Sequence, residues 1–208
     1  MTSSTADFGR DYAYEQLRRS RHPLRRLVKS LYLRNILRDI DGPTIDFGCG
    51  AGQLLARLPR GSVGIELNPH LIRALTEAGL DVRAARGDIS DFDLASLEVG
   101  GYSNLVIAHV LEHLDDPLSA LSRLLIACRR LGITRVVVVV PGAKGYRFDP
   151  THKTFIDRQW LVRHPLPSSL GFVMRGPTYF PGPEAVGRYF VFHEMKIVFE
   201  AHRPAESR

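Results

Sequence analysis

The chain has 208 residues, 44% of them hydrophobic and 24% charged, the composition of a globular protein long enough to bury a core. No run approaches the roughly 20 apolar residues of a membrane helix, the polar start lacks the apolar stretch of a secretion signal, and two cysteines, Cys49 and Cys128, exclude a disulfide scaffold and fit a reducing cytoplasm. The net charge of +6 falls wholly on residues 1–38, where nine Lys and Arg meet only Asp7, Asp11 and Glu15.

Residues 23–40 place Leu24, Leu27, Val28, Leu31, Leu33, Ile36, Leu37 and Ile40 at near-helical spacing with basic residues between them. This predicts an amphipathic helix and makes residues 1–40 a basic helical cap on a domain spanning 41–208. A β/α alternation follows. Strands are expected at 43–47, 62–66, 81–84, 103–108 and 134–140, with helices at about 51–58, 69–79 and 117–131. Val136 to Val140 is uniformly β-branched, as in a parallel strand covered on both faces. The alternation predicts a doubly wound α/β sheet. From Gly187 onward the pattern loses helical period and reads as a long strand, with Gly171 to Met174 as its neighbour. That predicts a closing antiparallel pair and a reversed strand at one edge.

The strongest local signal is Asp46-Phe47-Gly48-Cys49-Gly50-Ala51-Gly52, where the first strand meets its connection. Glycines let the backbone turn tightly and approach a ligand closely. A dinucleotide fingerprint would need Gly or Ala at position 53; this chain has Gln53.

The D-x-G-x-G-x-G run instead resembles the first motif of class I S-adenosylmethionine (SAM) methyltransferases. Further resemblances follow in order: Glu66 ends the second strand, Gly87-Asp88-Ile89 follows the third, and Leu111-Glu112-His113-Leu114 with Asp116-Pro117 follows the fourth. The resemblance implies a seven-stranded doubly wound sheet, mostly parallel with an antiparallel C-terminal strand and helices on both faces. It implies SAM as cofactor, held by Asp46, Gly48, Cys49, Gly50, Gly52, Glu66, Leu67, Asp88, Ile89 and His109. Glu66 would bond the two ribose hydroxyls, since a carboxylate accepts two short hydrogen bonds from a diol. Asp88 would contact the adenine amino group. Asn104 departs from the family, which usually has Asp there.

A hydroxyl acceptor must lose a proton during methyl transfer, so a base or metal is expected beside the methyl group. His109, Glu112 and His113 stand at i, i+3 and i+4, on one face if the segment is helical. In ubiquinone-pathway O-methyltransferases and small-RNA 3′-terminal ribose O-methyltransferases this segment reads Glu-x-x-Glu-His and binds Mg²⁺. Here Glu112 and His113 match and His109 holds the first position. Asp149-Pro150-Thr151-His152-Lys153 resembles the segment that adds a later histidine in the RNA enzymes.

The expected acceptor machinery is therefore His113, His109 and His152. The same set with Glu112 is a candidate site for Zn²⁺, Mn²⁺, Fe²⁺ or Mg²⁺; a metal-free histidine base stands beside it. The Asp-Pro-Thr-His segment also resembles bacterial methyltransferases of polysaccharide synthesis. The expected function is thus cytoplasmic O-methylation of a sugar or polyol hydroxyl in glycan biosynthesis. Tyr12, Tyr14 and the basic helix would cover the cofactor or meet an anionic, phosphate-bearing acceptor. Alternatives are methylation of an RNA 3′-terminal ribose, not favoured without an aromatic-interleaved basic patch; a metal-free methyltransferase of another small molecule; and a non-catalytic binding module.

Overall fold

The computed structural model describes Gly9 and residues 23–202, so Arg10, Arg18, Arg19, Arg21, Tyr12 and Tyr14 lie outside the described residues. Helix α1 spans Pro23–Leu37 and leads into strand β1 (Thr44–Phe47). Strand β2 (Val63–Glu66), helix α2 (Pro69–Glu77) and strand β3 (Val82–Ala84) follow. Strand β4 (Asn104–Ala108), helix α3 (Pro117–Leu131) and strand β5 (Arg135–Pro141) complete the regular alternation. Two short helices, α4 (Ala143–Phe148) and α5 (Arg158–Arg163), precede strands β6 (Phe172–Phe180) and β7 (Glu194–Ala201).

The seven strands form one sheet in the order β3-β2-β1-β4-β5-β7-β6. All neighbours from β3 to β5 pair in parallel, while β7 runs antiparallel to both β5 and β6. The reversed strand thus lies one position inside the edge, and β6 forms the edge itself. One sheet face, carrying Ile45, Leu105, Ile107, Val136 and Val138, packs on Leu121, Leu124 and Leu125 of α3. The other face, with Val106, Val137 and Val139, takes Leu33 and Ile36 of α1. Alternate residues of β4 and β5 therefore serve opposite layers, which is why their sequence is apolar throughout.

Local chemistry sets the helix ends. Asp116 accepts the Ser119 N–H at 3.0 Å, Pro117 begins α3, and Gly132 closes it in the left-handed region (φ 79°). Asn68 caps α2 in the same way, accepting from the His70 and Leu71 amides.

Three segments differ from the sequence expectation; the neighbour of the closing strand, expected over Gly171 to Met174, runs through Phe172–Phe180 and takes up Pro177 at a register irregularity between Arg175 and Thr178. Residues 51–58 form turns and a single 3-10 turn, Leu55–Arg57, in place of an α-helix. Gly50 and Gly52 adopt positive φ, and Leu58 is extended before Pro59, so too little chain remains between breakers. The long strand expected from Gly187 begins only at Glu194. Upstream, Lys144 Nζ bonds the Tyr189 carbonyl (2.8 Å) and the Gly142 amide bonds the His193 carbonyl (2.7 Å), tying this stretch to α4 instead of to the sheet.

Candidate functional site

Parallel strands send their carboxyl ends to one edge of the sheet, where a crevice opens beside the strands at which the order reverses. Here that point lies between β1 and β4. The glycine loop leaves β1 at this place. Gly48, Gly50 and Gly52 all have positive φ (77°, 54° and 68°). A Cβ on Gly48 would meet Val110 Cγ2 at 2.4 Å, and one on Gly52 would meet Leu75 Cδ2 at 2.6 Å. A Cβ on Gly50 would meet nothing within 4 Å. Gly50 therefore borders open space while its neighbours are wedged against protein. This is a cradle that a side chain would fill, and it fits an adenosyl ligand.

Glu66, at the end of β2, organises the floor of this cradle. Its Oε2 accepts the Gly50 amide at 2.7 Å, and its Oε1 accepts the Leu67 and Asn68 amides, both at 2.9 Å. Oε2 keeps lone-pair capacity for a further donor, as bonding a diol requires. Asp46 is buried beside it, with Oδ2 unpartnered among the described residues. Burial pushes its carboxyl up to about 7, against a hydrogen bond from the Leu55 backbone and the charge of Lys29 on α1.

Leu67 and Ile89 are exposed apolar side chains after β2 and β3, suited to either face of a flat ring. Cys49 is buried, its Sγ filling the space over Gly64, and burial raises its thiol far out of the reactive range. Asp88 caps the following 3-10 turn, accepting from the Ser90 amide at 2.7 Å. Sequence reasoning missed Asp91, whose carboxylate gathers the amides of Arg86, Gly87 and Asp88 (2.7–3.3 Å) and so shapes the loop after β3. Asn104 sits at the opposite, amino end of the sheet, where its Nδ2 bonds the Gly42 carbonyl.

The second cluster comes from the ends of β4, β5 and β7. The segment after β4 is one 3-10 turn, Leu111–His113, and His109 takes φ 58° after its amide makes a last ladder bond to Val139. The loop after α4 is stitched to this turn, since the Glu112 carbonyl accepts the amides of Lys153 (2.8 Å) and Thr154 (3.0 Å). That contact delivers His152.

One ligand atom from each of Glu112, His113 and His152 falls within 4.8 Å of the others. His109 stands outside this trio. Its Nδ1 lies 3.2 Å from Glu112 Oε1 and its Nε2 lies 2.9 Å from Glu194 Oε1. Burial disfavours its charge, but hydrogen bonds to Glu112 and Glu194, together with their charges, outweigh this and push it up to about 9. Glu194, from β7, was not anticipated from the sequence.

Hydrogen bonding assigns the tautomers of the other two rings. His152 Nδ1 faces the Tyr146 carbonyl at 2.8 Å. A carbonyl only accepts, so Nδ1 carries a proton and Nε2 faces the cluster, 3.9 Å from Glu112 Oε1. Thr151 gives its hydroxyl proton to Asp149 (2.6 Å), so His113 Nδ1, 3.1 Å away, donates to Thr151 and frees its Nε2. Burial lowers the His113 pKa, with the Glu112 charge opposing, which favours the neutral ring at pH 7. Glu112 is fully buried, and its Oε2 has no partner among the described residues. Two imidazoles and a buried carboxylate whose ligand atoms lie within 4.8 Å of one another fit a divalent cation, and they equally fit an acceptor hydroxyl.

Residues 45–135 match the family model described as a methyltransferase domain. No curated protein matches the chain. Solved structures share the fold. A SAM-dependent methyltransferase from Archaeoglobus fulgidus is 22% identical, with TM-score 0.60, over 84% of this chain and 93% of that one. The magnesium protoporphyrin IX methyltransferase of Synechocystis PCC 6803, with bound SAH, is 12% identical (TM-score 0.59) over 92% of this chain and 97% of that one. The methyltransferase domain of bacterial CtHen1-C is 19% identical (TM-score 0.55) over 84% and 96%.

Proposed function

We propose that this chain, whose residues 45–135 match the methyltransferase-domain model and whose fold is that of SAM-dependent methyltransferases, is such an enzyme and methylates an oxygen, the hydroxyl of a sugar or polyol in glycan biosynthesis. The observation behind this reading is the convergence of Glu112, His113 and His152, one ligand atom of each lying within 4.8 Å of the others, with His152 Nε2 3.9 Å from Glu112 Oε1. A hydroxyl is the acceptor that needs such a site, because it must give up its proton as the bond to carbon forms. A vicinal diol can meet two of the three atoms at once. The two buried, unpaired cysteines accord with a cytoplasmic setting.

In this reading Glu66 and the Gly50 amide hold the ribose, Leu67 and Ile89 flank the adenine, and Asp88 faces its amino group. Bound SAM supplies a methyl group on a sulfonium, which leaves as a neutral thioether. His113 and His152 hold the acceptor hydroxyl in line with that methyl and take its proton at Nε2; the alignment itself supplies most of the acceleration. Glu112, His113 and His152 would also hold a divalent ion, which supplies Lewis acidity toward the hydroxyl when bound. His109 steadies Glu112, and helix α1 covers the sheet face of β4 and β5 through Leu33 and Ile36 as part of the cap. Lys29 belongs to that cap, and its charge is felt at Asp46.

His113→Ala tests the reading. Turnover should fall at least about tenfold, as for loss of a general base, with SAM affinity unchanged by calorimetry. Equal turnover would move the chemistry elsewhere. Elemental analysis and activity after chelation separate the metal-assisted form from the metal-free one.

A further inference from the structure

All four exposed aromatic side chains among the described residues lie on two adjoining segments. Phe148 ends α4, while Tyr189, Phe190 and Phe192 belong to the stretch before β7. Phe148 and Tyr189 are each 77% exposed, so these rings project from the surface and do not line a pocket. The two segments are laced by the Lys144–Tyr189 and Gly142–His193 bonds and by close backbone approach, for a Cβ on Gly145 would meet the Val191 carbonyl at 2.6 Å. Lys144, Arg147 and Arg188 are exposed on the same segments, and neither 142–148 nor 186–193 contains an acidic residue.

The rim borders the candidate acceptor cluster. Phe148 directly precedes Asp149, which holds Thr151 against His113, and Tyr146 stacks on His152 at 5.5 Å. Contiguous exposed apolar groups mark a surface that meets something apolar.

We propose that this cationic aromatic rim docks the enzyme on an anionic lipid bilayer and so presents the acceptor cluster to sugars carried on lipid; the proposal rests on the glycan reading above. A soluble polar acceptor leaves three projecting phenylalanines unexplained. Single-stranded nucleic acid stacks its bases on free aromatic faces, whereas Phe190 and Phe192 meet edge to face, 71° apart at 5.7 Å. Rings that enter the interface between headgroup and acyl chain, with cations beside them on lipid phosphates, account for both parts of the pattern. The contact is peripheral, since no helix among the described residues is long and apolar enough to cross a membrane. The whole-chain charge of +6 adds attraction of the same sign.

The test uses the full chain in sedimentation with vesicles of phosphatidylcholine alone and of phosphatidylcholine with an equal part of phosphatidylglycerol. Binding is expected only to the anionic vesicles. It should weaken at least about tenfold in Phe148→Ser/Tyr189→Ser/Phe192→Ser, since each tenfold step needs only about 1.4 kcal/mol of lost ring burial. Arg147→Gln/Arg188→Gln should weaken it and reduce its salt sensitivity. SAM affinity, measured on every variant, reports folding and should not change. No wild-type binding to anionic vesicles overturns the proposal, as does equal binding by the ring variant. It is also overturned if the rings govern binding of a single-stranded oligoribonucleotide or self-association and leave vesicle binding untouched. Intact SAM binding with these failures sinks the docking alone; loss of wild-type SAM binding would sink the methyltransferase reading instead.

Discussion

Two buried acids set the behaviour of the site at the level of single residues. The carboxyl of Asp46, pushed up to about 7 by burial, lies above its unfolded value of about 4. The folded state therefore binds this proton more tightly. Stability from Asp46 is complete below about pH 4 and declines as pH rises to about 7, with a slope of at most about 1.4 kcal/mol per pH unit. Asp46→Asn should flatten thermal stability across that window; an unchanged slope would assign the pH dependence to other groups. Glu194 acts through His109, whose other nitrogen holds Glu112. Glu194→Ala should cut turnover about tenfold, in the range seen when an outer partner of a site is lost, with SAM affinity intact. Glu194→Gln, which keeps an oxygen to accept from Nε2, should restore most of that loss. Wild-type turnover in both variants would leave Glu194 a packing residue. This glutamate was illegible in the sequence because it lies 85 positions from His109 and is one of three charged residues in its strand, with Lys196 and Glu200, that nothing in the sequence sets apart. Asp46 was legible because it stands two residues before the first glycine of the loop, and Glu66 because it ends the second strand.

At the level of elements, legibility followed burial. Strands β1 to β5 and helix α3 were located within a residue, because covering both faces of a sheet demands apolar runs, and Asp116-Pro117 and Gly132 punctuate α3. Among the stretches misread, 51–58 and 187–193 have backbone bonds that go to loops and to α4 rather than to a ladder, which no side-chain period records, while 175–180 pairs with β7 despite its Gly176-Pro177. Helix α1 shows how an element can depend on one distant contact. Lys196 on β7 is buried and bonds the Asn35 carbonyl (2.8 Å), the Asn35 side chain (3.2 Å) and the Asp39 carboxylate (2.5 Å). Lys196→Met leaves these acceptors without their donor, a cost of about 1–3 kcal/mol, or several degrees of melting temperature for a chain of this length. Hydrogen exchange should quicken in Pro23–Leu37 ahead of β4 and β5. Uniform quickening across the sheet would mean that α1 docks through Leu33 and Ile36 alone.

Across the whole molecule the sheet order divides labour. The groups that would grip the donor come from the ends of β1, β2 and β3, on one side of the strand reversal, and those facing the acceptor come from β4, β5 and β7, on the other. The sequence exposed the first half more fully, since its loops are short and glycine-marked, while the second half is assembled across long separations. If the donor half is a unit, SAM binding should stabilise it unequally. At a hundred times the dissociation constant, linkage adds about 2.7 kcal/mol, worth several degrees of melting temperature. Exchange should slow at the carboxyl ends of β1, β2 and β3 and through the 48–52 loop, with little change in β6 and β7. Gly50→Arg places a side chain in the open space beside the loop, so it should abolish both effects while the unliganded protein loses only about 1–3 kcal/mol for a side chain at φ 54°. Equal slowing along β6 and β7 would mean that the donor orders the whole sheet, and the two halves would then be one binding unit.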